Sequence, residues 1–235
     1  STLSSSSAAS DVYKRQTVLS LGIFAAGFAT FATIASAQFL DMDEQVFQFI
    51  EKKYNVKARR RVEEWQDIML TTNRKGTLSD RQKTQSANDF FNRIDWVSDQ
   101  DHWGKEDYWA TPIETLATNG GDCEDFSIGK YFTLSETGVD NEKIRITYVK
   151  ALDYNQAHMV LAYYSSPEAE PLILDNINKT ILPASKRTDL LPIYSFNGEG
   201  LWLAKARGRK LKANSQQSLP QWGEVNKRMM KELMK

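Results

Sequence analysis

The segment GGDCEDF, residues 120–126, holds the only cysteine of the chain, Cys123, with acidic residues on both sides. A thiol attacks as its thiolate, and flanking carboxylates oppose that ionisation. A cysteine nucleophile needs a base to take its proton and a third group to orient the base. The chain has two histidines, His102 and His158, so the choice of base is short. His158 opens the apolar run HMVLAYY, where an imidazole projects from a rigid strand, whereas His102 lies in the polar stretch SDQDHWGKED. Asp175 closes the apolar run PLILD, and an aspartate finishing a strand beside that of His158 can accept its Nδ1–H. The order is Cys, His, Asp, with gaps of 35 and 17 residues. Each residue also has a plainer role: a small buried thiol, a satisfied edge histidine, a turn aspartate in LDNIN. Order alone does not choose between the two readings.

Two kinds of element must position these groups. From Asp41 to about Thr137 the apolar spacing is helical: Phe47, Ile50 and Tyr54 share one face, and Val62, Trp65 and Met69 another. Ser79 to Gln82 and Thr111 to Glu114 read as capping boxes, the second with Pro112 at the first helical position, where its missing N–H costs nothing. Gly120 and Gly121 are expected to end that second helix, and Cys123 to stand in the first turn of the next, which Gly138 stops. A helix N-terminus offers free N–H groups and the positive end of the macrodipole, both favourable to a thiolate. From Arg145 onward the pattern turns to short β-rich runs, RITYVKAL, HMVLAYY, PLILDNI, LPIYSF and GLWLAKA, separated by turn material. Helices followed by strands predict an α+β fold, with an antiparallel sheet packed on the helical half.

The N-terminal region bears on compartment. Residues 1–16, serine-rich and then resembling a translated adapter, are set aside as a scar. Val18 to Ala37 is apolar and uncharged, follows Lys14 and Arg15, and ends on Ala35-Ser36-Ala37, the small-x-small pattern of a signal-peptidase site. Cleavage is expected after Ala37; a single membrane anchor is the alternative, since about 20 apolar residues span a bilayer. Without Lys14, Arg15 and Asp11 the chain carries 28 basic and 29 acidic residues, which gives a nucleic-acid role no electrostatic support. Residues 38–210 are expected to form the catalytic domain, and 211–235, which Pro220 and Gly223 are expected to break, a polar tail or docking helix.

A thiol at a helix start, followed by His and Asp on successive strands, resembles the transglutaminase-like, papain-like fold. The blocks DYWATPIETLATNGGDCEDFSIGKYFTL, HMVLAYY, PLILDNI and DLLPIYSFNGEGLW are similar to the bacterial transglutaminase-like cysteine proteinases, and among them to the adhesin-releasing proteases of the LapG type. The resemblance runs from about Phe90 to Trp202. It implies a periplasmic cysteine protease with Cys123 as nucleophile, His158 as base and then acid, and Asp175 as the orienting carboxylate. It implies a large surface adhesin as substrate, cut near its N-terminus at a di-alanine site so that biofilm disperses. The implied partner is an inner-membrane cyclic-di-GMP receptor of the LapD type, which sequesters the protease. It also implies calcium, held by Asp122 and Glu124. A hard cation wanting six to eight oxygens cancels carboxylate charge and so removes the objection to a thiolate between two acids. Asp99, Asp101 and Gly104 fall at EF-hand-like positions 1, 3 and 6, but Trp103 and Ala110 occupy positions 5 and 12. The loop is therefore expected to be of another kind and to lend Asp107 to the site. One cysteine and two histidines supply too few of zinc's preferred ligands. Trp202 and Trp222 are candidates for a receptor-facing surface, against the core role usual for aromatics. Two alternatives use the same fold: an acyl transferase of the transglutaminase type, separated by product mass with an added amine, and a non-catalytic binding module, which would have no need of a complete triad.

Overall fold

The computed structural model describes residues 39–76, 78–204, 209–211 and 215–235. The expected scar and signal peptide, residues 1–37, lie outside the described residues. Among the described residues the first helix is α1 (Glu44–Lys53), opened by Asp43, whose side chain accepts the N–H groups of Gln45 and Val46. Helix α2 (Val56–Lys75) is opened by Asn55 and buries one face, Ala58, Val62, Trp65 and Met69, at the expected three-and-four spacing. Helix α3 (Asp80–Phe91) starts at the Ser79/Gln82 capping box. After a two-residue strand β1 (Asp95–Trp96) and a short helix α4 (Asp99–Trp103), helix α5 (Pro112–Thr118) starts at the Thr111/Glu114 capping box with Pro112 in its first turn.

The end of α5 departs from expectation. Asn119, at φ 58°, makes the left-handed turn expected of the glycines, because its short polar side chain tolerates that conformation and donates to Asp95 Oδ2 at 2.9 Å. Gly120 and Gly121 instead form strand β2, paired in parallel with β1 through Asp95↔Gly120 and Trp96↔Gly121. The chain then enters helix α6 (Cys123–Glu136), twelve of whose fourteen residues are buried, so that it forms the centre of the fold rather than a surface. Gly129 lets it approach α3: a Cβ there would lie 2.0 Å from a Phe91 ring carbon. Gly138, at φ 77°, follows the helix end, where its N–H and that of Val139 bond back to Ser135 and Leu134.

The second half is a seven-stranded antiparallel sheet in the order β6-β5-β4-β3-β7-β8-β9: β3 (Ile144–Ala151), β4 (Gln156–Tyr163), β5 (Leu172–Leu174), β6 (Leu182–Pro183), β7 (Leu190–Asn197), β8 (Gly200–Leu203) and β9 (Arg209–Leu211). Alternation along β4 divides its side chains between two cores. Met159, Leu161 and Tyr163 join the main core with the helices, and Val160 and Ala162 join a smaller cluster with Val149 and Ile173. The helical part is thus packed on an antiparallel sheet, the α+β arrangement expected.

Pro220 does not break the C-terminal segment; it sits in the first turn of helix α8 (Pro220–Leu233), which follows the four-residue helix α7 (Ser215–Ser218). Helix α8 buries Trp222, Val225 and Met229, and the Trp222 ring stacks on Phe132 at 5.6 Å and meets Tyr131 and Phe196 edge-on. Trp202 is also buried, so neither tryptophan presents an exposed surface. Residues 39–235 group as one body, with α8 part of it.

Candidate active site

Three segments converge on the start of α6. Cys123 is the first residue of that helix, after Asp122 in extended backbone. Its Sγ donates to Glu124 Oε2 at 3.1 Å, and the N–H of Met159 in β4 points to the sulfur. Burial pushes the thiol well above its usual range, and the charges of Glu124 and Asp122 push it further, against a smaller opposing pull from the Met159 N–H. The protein atoms around Cys123 thus favour the thiol over the thiolate.

Met159 follows His158, so the strand that approaches the sulfur also carries the imidazole. His158 pairs with Val149 of β3 and is buried; its Nε2 lies 2.8 Å from Asp175 Oδ1. The nitrogen on the carboxylate is thus Nε2 and not the expected Nδ1, which leaves Nδ1 for exchange with a thiol. Asp175 follows β5, the neighbour of β4, and has no exposed surface on its side chain. Its Oδ1 also accepts the Ile177 N–H at 3.0 Å, its Oδ2 accepts from Arg187 Nη2 at 2.7 Å, and its carbonyl accepts from Asn92 Nδ2 at 3.0 Å. Burial alone would raise the Asp175 carboxyl, but the bonds from His158, Ile177 and Arg187 outweigh it and hold the group well below the usual range. It is a carboxylate at any working pH, able to support an imidazolium. His102 does not join this group: it stacks on Trp103 at 4.3 Å and lies against Gly120.

The acids beside the thiol form a cluster larger than the expected Asp122, Glu124 and Asp107. Carboxylate oxygens of Asp99, Asp107 and Glu124 lie within 4.8 Å of one another, as do those of Asp99, Asp122 and Asp125. Asp99 was visible in the sequence only as the first position of a rejected EF-hand loop. Its segment is helix α4, closed by Gly104 in the left-handed region, so the loop is indeed of another kind. Asp125 is the third residue of α6, and its side chain reaches back to the N-cap Asp122, so the three-residue capping spacing is the only trace of it in the sequence. It is fully buried and accepts the N–H groups of Ala110 at 2.7 Å and Asp122 at 3.3 Å. Asp107 accepts from Trp109 Nε1 at 2.8 Å and from Gln221 Nε2 of α8 at 2.9 Å.

Burial first, then the neighbouring acids, push Asp122 up to about 10 and Asp99 up to about 6 despite the Tyr108 N–H that bonds Asp99 Oδ2. Asp99 Oδ1 and Asp122 Oδ1 are buried without a hydrogen-bond partner. Buried carboxylate oxygens without donors, crowded by like charge, are what a hard dication with oxygen ligands would satisfy, so these residues fit calcium.

A helix-borne thiol, a strand-borne histidine backed by an aspartate, and a helical half packed on an antiparallel sheet define a transglutaminase-like cysteine proteinase. The model of the bacterial transglutaminase-like cysteine proteinases matches residues 42–203, and the chain belongs to that family. Solved structures of Legionella pneumophila LapG are similar over most of their length. One is 41% identical with a TM-score of 0.68, covering 79% of this chain and 95% of that one. An EGTA-treated form is 41% identical with a TM-score of 0.69, covering 79% of this chain and 96% of that one. A calcium-bound form is 42% identical with a TM-score of 0.67, covering 78% and 97%. No match was found among the curated proteins.

Proposed function

We propose that this chain is a calcium-dependent periplasmic endopeptidase that cuts a large cell-surface adhesin near its N-terminus, at a di-alanine site, and so releases it and disperses biofilm. The observation that carries the reading is the 41% identity to LapG over 79% of the chain, combined with a thiol, an imidazole and a buried carboxylate on the expected elements. Control by an inner-membrane cyclic-di-GMP receptor of the LapD type belongs to the same reading. Export through the Val18 to Ala37 segment supplies the compartment, and among the described residues no helix is long and apolar enough to cross a membrane.

In this mechanism the Cys123 proton passes to His158, and Sγ attacks the scissile carbonyl. N–H groups in the first turn of α6, at the positive end of its dipole, stabilise the oxyanion. Collapse of the tetrahedral intermediate breaks the C–N bond. His158 returns its proton to the departing amine, leaving a thioester on Cys123. Water, deprotonated by His158, then releases the acid product and regenerates the thiol. Asp175 keeps the imidazole oriented and stabilises its protonated form throughout. Asp99, Asp107, Asp122, Glu124 and Asp125 would hold calcium, which when bound supplies positive charge against the acids flanking the thiol.

The test is cleavage of an adhesin N-terminal fragment by residues 38–235 with calcium, with EGTA and with Cys123→Ala. Cleavage by the wild type alone, and only with calcium, is the expected result. Cleavage that survives Cys123→Ala removes the assignment, and cleavage that survives EGTA removes the calcium dependence.

A further inference from the structure

Asp175 Oδ1 meets the imidazole and the Ile177 N–H, and what holds the second oxygen, Oδ2, helps decide how the first is presented. A carboxylate turns about its Cβ–Cγ bond, and an unconstrained one would not keep Oδ1 on His158 Nε2. Arg187 occupies the second oxygen at 2.7 Å, and its side chain is 3% exposed against 0% for Asp175. Arg187 is itself clamped from behind: Nε donates to Asp189 Oδ1 at 3.0 Å and Nη2 to Asp189 Oδ2 at 2.8 Å. Asp189 is tied in turn to the turn between β3 and β4, because its carbonyl accepts the Leu152 N–H at 2.8 Å. The chain of contacts runs from that turn through Asp189, Arg187 and Asp175 to His158.

The planar guanidinium fork fixes direction as well as charge, which a lysine ammonium does not. A buried carboxylate without a counter-charge takes up a proton or turns away, and a protonated acid no longer supports an imidazolium. Arg187 therefore adds to both conditions that the Asp175 role requires: with His158 and the Ile177 N–H it keeps the carboxyl ionised, and it alone among side chains holds Oδ2 while Ile177 holds Oδ1. It stands twelve residues beyond Asp175 in a loop before β7, on a segment with no motif of its own.

We propose that Arg187 is a positioning residue of the catalytic group, holding Asp175 so that its Oδ1 faces His158 Nε2 and the Nδ1 edge of the ring stays available to Cys123. The inference rests on the proteolytic reading above for its consequence on rate, and on the hydrogen-bond geometry for its effect on the imidazole.

The experiment measures kcat and KM on the adhesin N-terminal fragment with calcium for wild type, Arg187→Met and Arg187→Lys. It also records the His158 Nε2–H resonance by proton–nitrogen NMR. With two histidines in the chain, a His102→Gln background leaves a single imidazole to assign. Arg187→Met is expected to lower kcat by roughly 10- to 100-fold, the loss typical when an outer partner of a functional ligand is removed, with KM little changed. Arg187→Lys recovers part of the rate. The Nε2–H resonance, protected in wild type, is lost or broadened in Arg187→Met. Should that variant not fold, Asp189→Ala, at a partly exposed position, loosens the guanidinium and is expected to lower kcat and weaken the resonance in the same sense. Wild-type kcat together with an unchanged resonance, in Arg187→Met or in Asp189→Ala used in its place, overturns the proposal. If wild type itself cuts no adhesin fragment, the proteolytic reading fails, and the resonance alone still decides what Arg187 does to His158.

Discussion

Gly121→Ala adds one methyl group at the entrance to α6, and its effect follows from distances. The new Cβ would stand 2.7 Å from Asp125 Oδ2 and 2.8 Å from Asp125 Cβ, both inside any normal contact. Asp125 cannot step aside, because it is fully buried and holds the Ala110 and Asp122 N–H groups. Gly121 cannot retreat readily either, since its backbone is paired with Trp96 and its carbonyl accepts the Val97 N–H at 2.9 Å. Overpacking of this kind costs about 1–3 kcal/mol, and a weakened bond to a buried carboxylate adds about 1 kcal/mol. A total of about 2–4 kcal/mol lowers the melting temperature by roughly 4–16 °C in a chain of this size. Because Asp125 and Asp122 belong to the acid cluster, the rise in melting temperature on adding calcium should also shrink. The assay is thermal unfolding followed by circular dichroism, with calcium and with EGTA. A variant that melts within about 1 °C of wild type, with the same calcium-induced rise, would refute the claim that Gly121 is required by its contact with Asp125.

Asp175→Asn removes the charge that supports the imidazolium and invites the wrong tautomer, so kcat should fall by roughly 10³- to 10⁴-fold with the fold retained, checked by steady-state cleavage and circular dichroism. Asp99→Ala removes an unpartnered buried carboxylate oxygen from the acid cluster and should weaken calcium binding in isothermal titration, while Asp101→Ala, outside the cluster, should leave it near wild type. Glu136 is buried, and that burial, with a lesser contribution from Asp41, pushes its carboxyl up to about 8. Its folded pKa is raised, so the folded state holds the extra proton, and stability is lost as pH rises from the unfolded value of about 4.3 through about 8. Thermal melts should therefore show Glu136→Gln gaining stability relative to wild type at pH 8 and little at pH 4; a constant difference across that range would refute the assignment.

Local interactions made much of this protein legible in the sequence. Both capping boxes form at Ser79/Gln82 and Thr111/Glu114, because a cap is a contact between residues three apart and needs no partner from elsewhere. The faces of α1 and α2 follow from helical period, and the change to alternating β-rich runs after Arg145 marks the sheet. Legible too were the residue types for the chemistry: one thiol, an imidazole on a strand and an aspartate closing the next. Neighbour rules failed where two conformations compete over a short stretch, as at Asn119 and the two glycines after it, or where a breaker stands at an end, as Pro220 does.

The sequence by itself determined the change from helices to strands after Arg145, the thiol at a helix start and the acids on either side of it, since each is a property of residues within a few positions. Only the tertiary structure decided that Nε2 of His158 faces Asp175, that Arg187 and Asn92 hold that carboxylate, and that Asp99 and Asp125 join the acid cluster. It also decided that α8 reaches back to Asp107 through Gln221. The physical reason is that these hydrogen bonds join segments separated by 12 to 114 positions, and their geometry is fixed by how α6 packs against β4 and how β5 lies beside it. No periodicity or cap records such packing along the chain.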